Sequence, residues 1–401
     1  MDNQRNARIQ RNARILCSVF GIIWLLFTAI SLFKPPKVFS ETENRYLQMR
    51  PEFSWKTFAD GSYGEDYEAF IADQFFARDG WVTVKTYAQR ARGMMDMSGI
   101  FFGRDGYLLE NDGLFLSENV QAKKNVDYLY QFLNAYASRM ASISLMLVPS
   151  SSSVIKDKLP AFAPVYPQEQ WILEVYGSLG ETSTEFPQPA HVNFLNVFET
   201  LQAHRGEEIY YRTDHHWTTR GAFLAYEQWA GALGIPPLSE NDFCIETVAN
   251  DFYGTLYSKV HAFAKADSIF MYTPKIENIC QEMTIEGSAS ESAPLYDWNT
   301  LNTKDKYAFF MGGNYGLMKI HTKGNEAYTL NGRKLLIFKD SFANCFIPFA
   351  SLHFSETVIA DLRYINLDIA SLIADEGITD ILVLYNVKNF AEDKNIYKFQ
   401  N

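Results

Sequence analysis

The feature that most constrains the fold is a regular alternation in the C-terminal part of the chain. Three short apolar runs, at residues 335–338, 357–360 and 381–384, are separated by stretches of helix-like composition. Strands that alternate with helices in this way favour a parallel β-sheet flanked by helices. We therefore predict an α/β protein in which ligands bind at the carboxyl ends of the strands.

Polar side chains follow each of these predicted strands. Ser341, Arg363 and Asn386 come after the first, second and third runs, and we expect them to converge at one edge of the sheet. Ser341 is a candidate nucleophile. The N–H groups that open the helix after it are expected to be unpaired and able to receive an oxyanion. Asn386 and Arg363 are further substrate or oxyanion candidates. Helix capping by Ser341 and pairing of Arg363 with Asp361 are the alternatives.

A second group of reactive side chains lies in the run Asp214-His215-His216-Trp217. In an extended loop, the side chains of Asp214 and His216 point the same way and that of His215 points oppositely. This pattern predicts that Asp214 orients His216 and that His216 is the base for a serine nucleophile. His215 would position substrate or pack in the core. A metal site made of Asp214, His215 and His216 is the alternative, although the other histidines are isolated in the sequence.

The N-terminus predicts a membrane anchor. Residues 1–14 form a basic tail with four arginines, and residues 15–33 form an uncharged apolar run long enough for a membrane-spanning helix. Because the arginines precede the run, the positive-inside rule keeps the tail cytoplasmic and places the rest of the chain outside the cell membrane. A cleaved signal peptide is the alternative, but no clear cleavage site follows the run.

The remaining residues predict a helical stalk or linker at 34–99 and a catalytic domain at 100–401, with a mixed β-rich insertion at about 240–330. The chain has 401 residues, of which 47% are hydrophobic, so it can bury a large core. Its net charge of −11 argues against nucleic acid as a partner. The cysteines outside the anchor have no metal-binding spacing, and no cofactor is expected.

The chain resembles the DHHW protein family, named for the run Asp214-His215-His216-Trp217. It is also similar to the alginate acetyltransferase proteins of the SGNH hydrolase superfamily. The resemblance covers about residues 38–401. It rests on the DHHW run followed by Thr218 and Gly221-Ala222, and on three further matches: Asn44-Arg45, Asp73-Gln74-Phe75 and Tyr211-Arg212-Thr213.

This resemblance implies an SGNH-hydrolase-like (flavodoxin-like) three-layer sandwich with a parallel central sheet. It implies a triad of Ser341, His216 and Asp214 that performs O-acetyl transfer or ester hydrolysis on an extracellular polysaccharide. It further implies a multi-spanning membrane O-acyltransferase as a partner that delivers acetyl groups outward. Lys339 replaces the glycine that usually precedes Asp-Ser in the superfamily, which puts the geometry of the oxyanion hole in question.

A different class of function fits the same residues. A non-catalytic envelope protein could keep this fold to bind glycans or to scaffold a polysaccharide export or modification complex. A large separation between Ser341 and His216 would favour that scaffold, whereas hydrogen-bond contact would favour the enzyme.

Overall fold

The structure is a computed structural model that describes residues 2–40, 45–111, 118–180, 191–261, 264–288, 292–324, 328–330, 332–366 and 368–400. The chain divides into two compact units, residues 1–92 and residues 93–401.

The first unit is mainly helical. Its elements are α1 (Asp2–Phe33), β1 (Phe39–Ser40), β2 (Arg45–Tyr46), α2 (Trp55–Ala59), α3 (Ser62–Gln74) and α4 (Arg78–Ala91). Within α1, the segment Arg8–Ser31 is long and apolar enough to cross a membrane, with a mean hydropathy of 2.1. A signal sequence meets the same criterion, so the helix by itself is compatible with either predicted role.

The second unit contains the chemistry-bearing residues. Its strands are β3 (Asp96–Met97), β4 (Ile100–Phe102), β5 (Leu108–Glu110), β6 (Ser142–Val148), β7 (Val192–Phe194), β8 (Phe243–Phe252), β9 (Asp267–Pro274), β10 (Cys280–Ile285), β11 (Leu317–Lys323), β12 (Lys334–Lys339), β13 (Glu356–Ala360) and β14 (Asp380–Asn386). Its α-helices are α5 (Val120–Tyr136), α6 (Ser151–Val154), α7 (Gln168–Gly180), α8 (Val197–Ala203), α9 (Thr219–Ala232), α10 (Thr255–Val260), α11 (Ile347–Ala350), α12 (Ile369–Glu376) and α13 (Val387–Glu392).

The central sheet is mostly parallel, as predicted. Its strand order is β10-β11-β13-β12-β14-β6-β7. The strands from β13 to β7 pair in parallel, whereas β10 and β11 pair antiparallel at one edge. The segment predicted to be a β-rich insertion therefore divides in two: β8 and β9 form a separate antiparallel pair, and β10 and β11 extend the central sheet.

Strand β12 is covered on both faces. Leu335 and Ile337 belong to one buried cluster, and Leu336 and Phe338 belong to another on the opposite face. Continuous apolar runs are typical of parallel strands with both faces covered, which explains why this strand could be predicted from the sequence. Its carboxyl end leads directly to Ser341.

Strands β4 and β5 form a hairpin whose connection lies near residue 105. Strands β4 and β5 pair antiparallel, and both Asp105 (φ 56°) and Gly106 (φ 79°) in the connection have left-handed backbone conformations. The first residue of β5, Leu108, donates a backbone hydrogen bond of 2.7 Å to the carbonyl of Arg212. The hairpin thus supports the segment that leads to Asp214.

Candidate active site

The structure brings Asp214, His216 and Ser341 into one hydrogen-bonded row. The Nδ1 atom of His216 lies 2.6 Å from Oδ1 of Asp214, and its Nε2 atom lies 2.7 Å from Oγ of Ser341. Because an ionised carboxylate can only accept, Nδ1 carries the proton and donates it to Asp214. The neutral ring therefore presents the lone pair of Nε2 to the hydroxyl of Ser341. Ser341 is partly exposed, so a ligand can reach it, whereas Asp214 and His216 are buried.

The serine turn (residues 339–345) is fixed by the carboxylate of Asp340. Oδ1 of this residue accepts the N–H of Phe342, and Oδ2 accepts the N–H of Asn386 and Nδ2 of Asn389. Asp340 is therefore the N-cap of the following 3-10 helix, Ser341–Cys345. Capping by Ser341, the alternative considered from sequence, is wrong.

The start of the helix after Ser341 differs from the sequence prediction in one respect. The N–H of Phe342 was expected to be unpaired, but the Asp340 side chain accepts it, and the carbonyl of Asp340 accepts the N–H of Ala343. Among the residues that the structure describes, the backbone N–H of Ser341 has no acceptor. At the start of this helix, the N–H of Ser341 is therefore the group that is left unpaired.

A buried carboxylate, that of Asp267, holds the Asp-His loop (residues 211–217) by hydrogen bonds. Asp267, the first residue of β9, accepts the N–H of Arg212 through Oδ1 and both the N–H and the hydroxyl of Thr213 through Oδ2. Burial raises the pKa of Asp267 to about 6, and the hydrogen bonds from Thr213 and Arg212 oppose this rise. The loop is thus anchored immediately before Asp214.

Asp214 is held by the start of α10. Its Oδ2 atom accepts the backbone N–H of Thr255 at 2.8 Å and the hydroxyl of Thr255 at 3.0 Å. A Cβ atom on Gly254 would come within 2.3 Å of that oxygen. The backbone at residue 254 can therefore approach Asp214 this closely because it carries no side chain.

The predicted orientation of His215 is wrong. The loop is bent rather than extended, because Oδ1 of Asp214 also accepts the backbone N–H of His216 at 3.0 Å. The rings of His215 and His216 consequently lie side by side, with centroids 3.9 Å apart. His215 contacts Thr255 through Nδ1 at 2.8 Å, and its side chain is 25% exposed.

Two aromatic residues contact the serine turn, and one of them also stacks on the imidazole of His216. The ring of Tyr307 stacks on His216 at 3.8 Å with an interplanar angle of 9°, and its hydroxyl donates to the carbonyl of Ser341 at 3.0 Å. Trp217 is fully buried and donates from Nε1 to the carbonyl of Phe342 at 2.8 Å. The bond from Trp217 joins the Asp-His loop to the serine turn.

Lys339 turns away from the reacting atoms. Its buried Nζ donates to Oδ1 of Asn314 at 2.7 Å and to Oδ1 of Asn344 at 2.6 Å, and it lies 3.8 Å from Oδ2 of Asp361. Burial lowers the pKa of Lys339 to about 8, and the nearby Asp361 opposes this effect. Lys339 therefore ties the serine turn to the segment around Asn314.

The two other predicted oxyanion candidates have structural partners. Arg363 forms a bidentate ion pair with Asp361, in which Nε lies 2.9 Å from Oδ1 and Nη2 lies 2.6 Å from Oδ2. Asn386 caps α13 through its side-chain oxygen and donates from Nδ2 to the carbonyl of Val148 at 3.1 Å. Contact of either residue with an oxyanion stays a prediction.

The electrostatics of the row favour a neutral base beside an ionised acid. Burial lowers the pKa of His216 below its ordinary value of 6.5, and the neighbouring His215 lowers it further. Burial alone would raise the pKa of Asp214, but the two imidazoles and the hydrogen bonds from His216 and Thr255 outweigh it, so the pKa is lowered. At neutral pH the pair therefore consists of imidazole and carboxylate, which is the state a general base requires.

Asp214, His215 and His216 also lie close enough together to form a metal site, the alternative considered from the sequence. One potential ligand atom from each residue lies within 4.8 Å of the others, which is compatible with a metal ion. In the structure, however, both ring nitrogens of His216 are engaged by Asp214 and Ser341. Metal binding would break the row.

A family model matches part of the chain. Residues 189–360, which contain both the Asp-His loop and the serine turn, match the model of the DHHW protein family. The resemblance to that family predicted from the Asp-His-His-Trp run is therefore confirmed. No curated protein matches the chain.

Several solved structures are similar to the chain. A DHHW family protein from Eubacterium siraeum is 24% identical with a TM-score of 0.58, and the match covers 75% of this chain and 98% of that one. PatB1 of Bacillus cereus, solved with a sulfonyl adduct, is 22% identical with a TM-score of 0.57 and coverage of 76% and 99%. The O-acetyltransferase domain of Pseudomonas putida AlgJ is 12% identical with a TM-score of 0.43 and coverage of 74% and 93%. At identities this low, the first two structures show a shared fold.

Sequence reasoning missed the residues that support the site. Gly254, Thr255, Asp267 and Tyr307 all fall in the segment that was assigned only as a mixed insertion. The sequence carries no periodic signal there that would place any of them near Asp214. The Gly-Thr pair at the start of a short helix was the one local hint, because a helix start offers free N–H groups to a carboxylate.

Proposed function

We propose that the protein is a serine O-acyltransferase or esterase that acts on O-acetyl groups of a cell-surface or exported polysaccharide. The observation that carries the proposal is the row of hydrogen bonds from Asp214 through His216 to Ser341, at 2.6 and 2.7 Å. This arrangement supplies a nucleophile, a base, and a group that orients the base. The acetyl group and the polysaccharide come from the family resemblance.

The first half of the reaction would acylate Ser341. Its Oγ attacks the carbonyl carbon of the donor ester while Nε2 of His216 takes the hydroxyl proton. The backbone N–H of Ser341 donates to the developing oxyanion. The carbon–oxygen bond to the donor then breaks, and His216 gives its proton to the departing oxygen. Asp214 remains ionised and stabilises the imidazolium throughout.

The second half would release the acyl group. A hydroxyl of the acceptor, or water, attacks the carbonyl carbon of the Ser341 ester and loses its proton to His216. The bond to Oγ breaks, and His216 returns the proton to Ser341. Transfer and hydrolysis thus use the same residues and differ in which hydroxyl enters the site.

The proposal also includes the fold of the second unit, the membrane topology and a partner protein. The second unit would be a three-layer, SGNH-hydrolase-like sandwich, and α1 would be an uncleaved single-pass anchor that places it outside the cell membrane. A multi-spanning membrane O-acyltransferase would supply acetyl groups from the inside. The apolar segment Arg8–Ser31 and the arginines before it support this topology.

The test is a burst experiment with p-nitrophenyl acetate as the donor. The wild-type protein should release one equivalent of p-nitrophenol per active site quickly and then turn over slowly. Ser341→Ala should abolish the burst, whereas Ser178→Ala, which changes a serine in α7, should retain it. A sulfonyl fluoride should block the burst, since PatB1 was solved with a sulfonyl adduct.

Two outcomes would contradict the proposal. Equal release from wild type and Ser341→Ala, with no burst, would favour the non-catalytic glycan-binding or scaffold protein. Loss of the burst after EDTA treatment, with recovery on adding zinc, would favour metal-dependent hydrolysis through Asp214, His215 and His216.

A further inference from the structure

His215 is the reactive side chain that the proposed triad leaves unused. Its ring lies beside that of His216, with centroids 3.9 Å apart, and a quarter of its side chain is exposed. It therefore borders the space in which a ligand would approach Ser341.

The hydrogen bonds of Thr255 define which nitrogen of His215 carries a proton. The Thr255 hydroxyl has a single hydrogen, and it contacts both Oδ2 of Asp214 and Nδ1 of His215. Because the ionised Asp214 can only accept, Thr255 donates to it. The same hydroxyl oxygen must then accept from Nδ1 of His215. In the neutral ring, Nε2 of His215 is consequently an acceptor.

The Nε2 atom of His215 is open to a ligand. Within the described part of the chain, no hydrogen bond to this atom is found. A neutral acceptor at the edge of the site is suited to a hydroxyl group, which can donate to it. A hydroxyl group of a ligand can take the place of water at an exposed acceptor of this kind.

We propose that Nε2 of His215 accepts a hydrogen bond from a second hydroxyl of the acceptor, on the carbon next to the hydroxyl that attacks the acyl group. Thr255 is the positioning residue that holds the His215 ring in the required tautomer. The attacking hydroxyl gives its proton to His216, its oxygen forms the new ester, and the bond to Ser341 breaks. The inference rests on the proposed acyl transfer, and it specifies vicinal diols, as found in sugars, as the preferred acceptor class.

The experiment compares two small acceptors with p-nitrophenyl acetate as the donor. Ethylene glycol carries two neighbouring hydroxyls and methanol carries one. For each protein, the amount of acetyl ester formed is divided by the amount of free acetate formed. After the products formed without protein are subtracted, this partition ratio does not depend on how much of a variant is correctly folded, because both products are measured in one sample.

We expect wild type to favour ethylene glycol over methanol, after correction for the number of hydroxyls. His215→Phe keeps a ring but removes the acceptor, and it should lower the ethylene glycol ratio by about 5-fold, the usual effect of one hydrogen bond. The methanol ratio should change much less. His215→Asn, which can still accept a hydrogen bond, should recover part of the preference.

Failure of this inference is distinguishable from failure of the proposed function. A burst that depends on Ser341, together with identical ethylene glycol ratios in wild type and His215→Phe, would overturn the inference alone. So would a wild-type protein with no preference for ethylene glycol, or a parallel fall of both ratios in His215→Phe. A burst that persists in Ser341→Ala would overturn the proposed function itself.

Discussion

The serine turn and the Asp-His loop reach the same site by different means. The serine turn follows a central strand of the parallel sheet, and its carboxylate clamp, Asp340, bonds to the N–H of Asn386 at the end of the neighbouring strand. The Asp-His loop does not follow a strand of the central sheet, because it lies between α8 and α9. It is held by α10 and by the first residue of β9, through Thr255 and Asp267. The sheet fixes one half of the site, and close packing of separate segments fixes the other.

This difference predicts which half of the site is more sensitive to single substitutions. The clamp on Asp340 includes two backbone N–H donors, which no substitution of a side chain removes directly. Asp214 also accepts two backbone N–H groups, from Thr255 and His216, but its position depends in addition on the absence of a side chain at Gly254. Single substitutions should therefore damage the Asp-His loop more than the serine turn.

The largest effect is expected from Gly254→Ala. The new Cβ atom would lie within 2.3 Å of Oδ2 of Asp214, so the carboxylate must move away from His216. A displacement of this kind should reduce kcat/KM for p-nitrophenyl acetate by about 100-fold. Gly231→Ala is the matched control, because a Cβ atom at that position in α9 meets nothing within 4 Å. The control should keep its activity and gain about 0.5 kcal/mol in the free energy of unfolding. Equal activities of the two variants would contradict the account.

Thr255→Val should have a smaller effect on the same half of the site. It removes the hydroxyl that donates to Oδ2 of Asp214 at 3.0 Å but keeps the backbone N–H donor. We expect kcat/KM to fall by about 10-fold, since a hydrogen bond to a charged group is lost. Thr255→Ser retains the hydroxyl and should restore most of the activity. A serine variant as weak as the valine variant would mean that the side chain acts through packing instead.

Asn389→Ala makes the corresponding change in the serine turn. It removes the 2.7 Å hydrogen bond from Nδ2 to Oδ2 of Asp340, which keeps its bonds to Phe342 and Asn386. Because Asp214 bonds directly to His216 whereas Asp340 holds the serine turn through backbone N–H groups, kcat/KM should fall by only about 3-fold. A loss greater than that in Thr255→Val would reverse the comparison between the two halves.

The smallest effect is expected from mild acid. His216 accepts a proton only when it is neutral, and its pKa is lowered below 6.5 by burial and by His215. The value of kcat/KM should therefore hold from pH 8 to about 6 and then fall about tenfold per pH unit below the pKa of His216. The unfolded chain binds this proton at higher pH than the folded protein does. Stability therefore also falls as the pH drops below 6.5, and circular dichroism must verify folding at each point. A midpoint above 6.5 would contradict the lowered pKa.

The same comparison explains what the sequence could predict. Strand β12 and the position of Ser341 at its end were predictable, because a continuous apolar run and a βα alternation determine them. The pairing of Asp214 with His216 followed from their spacing and from the family resemblance. The orientation of His215 did not follow, because the bend depends on a bond from the backbone of His216 to Asp214.

The supports of the Asp-His loop could not be predicted for a related reason. Gly254 and Asp267 act through contacts with residues about 40 and 54 positions away in the chain. No periodicity links such residues, so only the folded structure brings them together. Tyr307, which stacks on His216, belongs to the same class.

The most direct measurement of the central claim is the site of the acyl group on the enzyme. Wild-type protein is mixed briefly with p-nitrophenyl acetate, quenched in acid, digested and analysed by tandem mass spectrometry. The account predicts an acetyl group on Ser341, and its absence from His216→Gln under the same conditions. An acetyl group found only on lysines or other serines, or a Ser341 ester that forms equally well without His216, would contradict it.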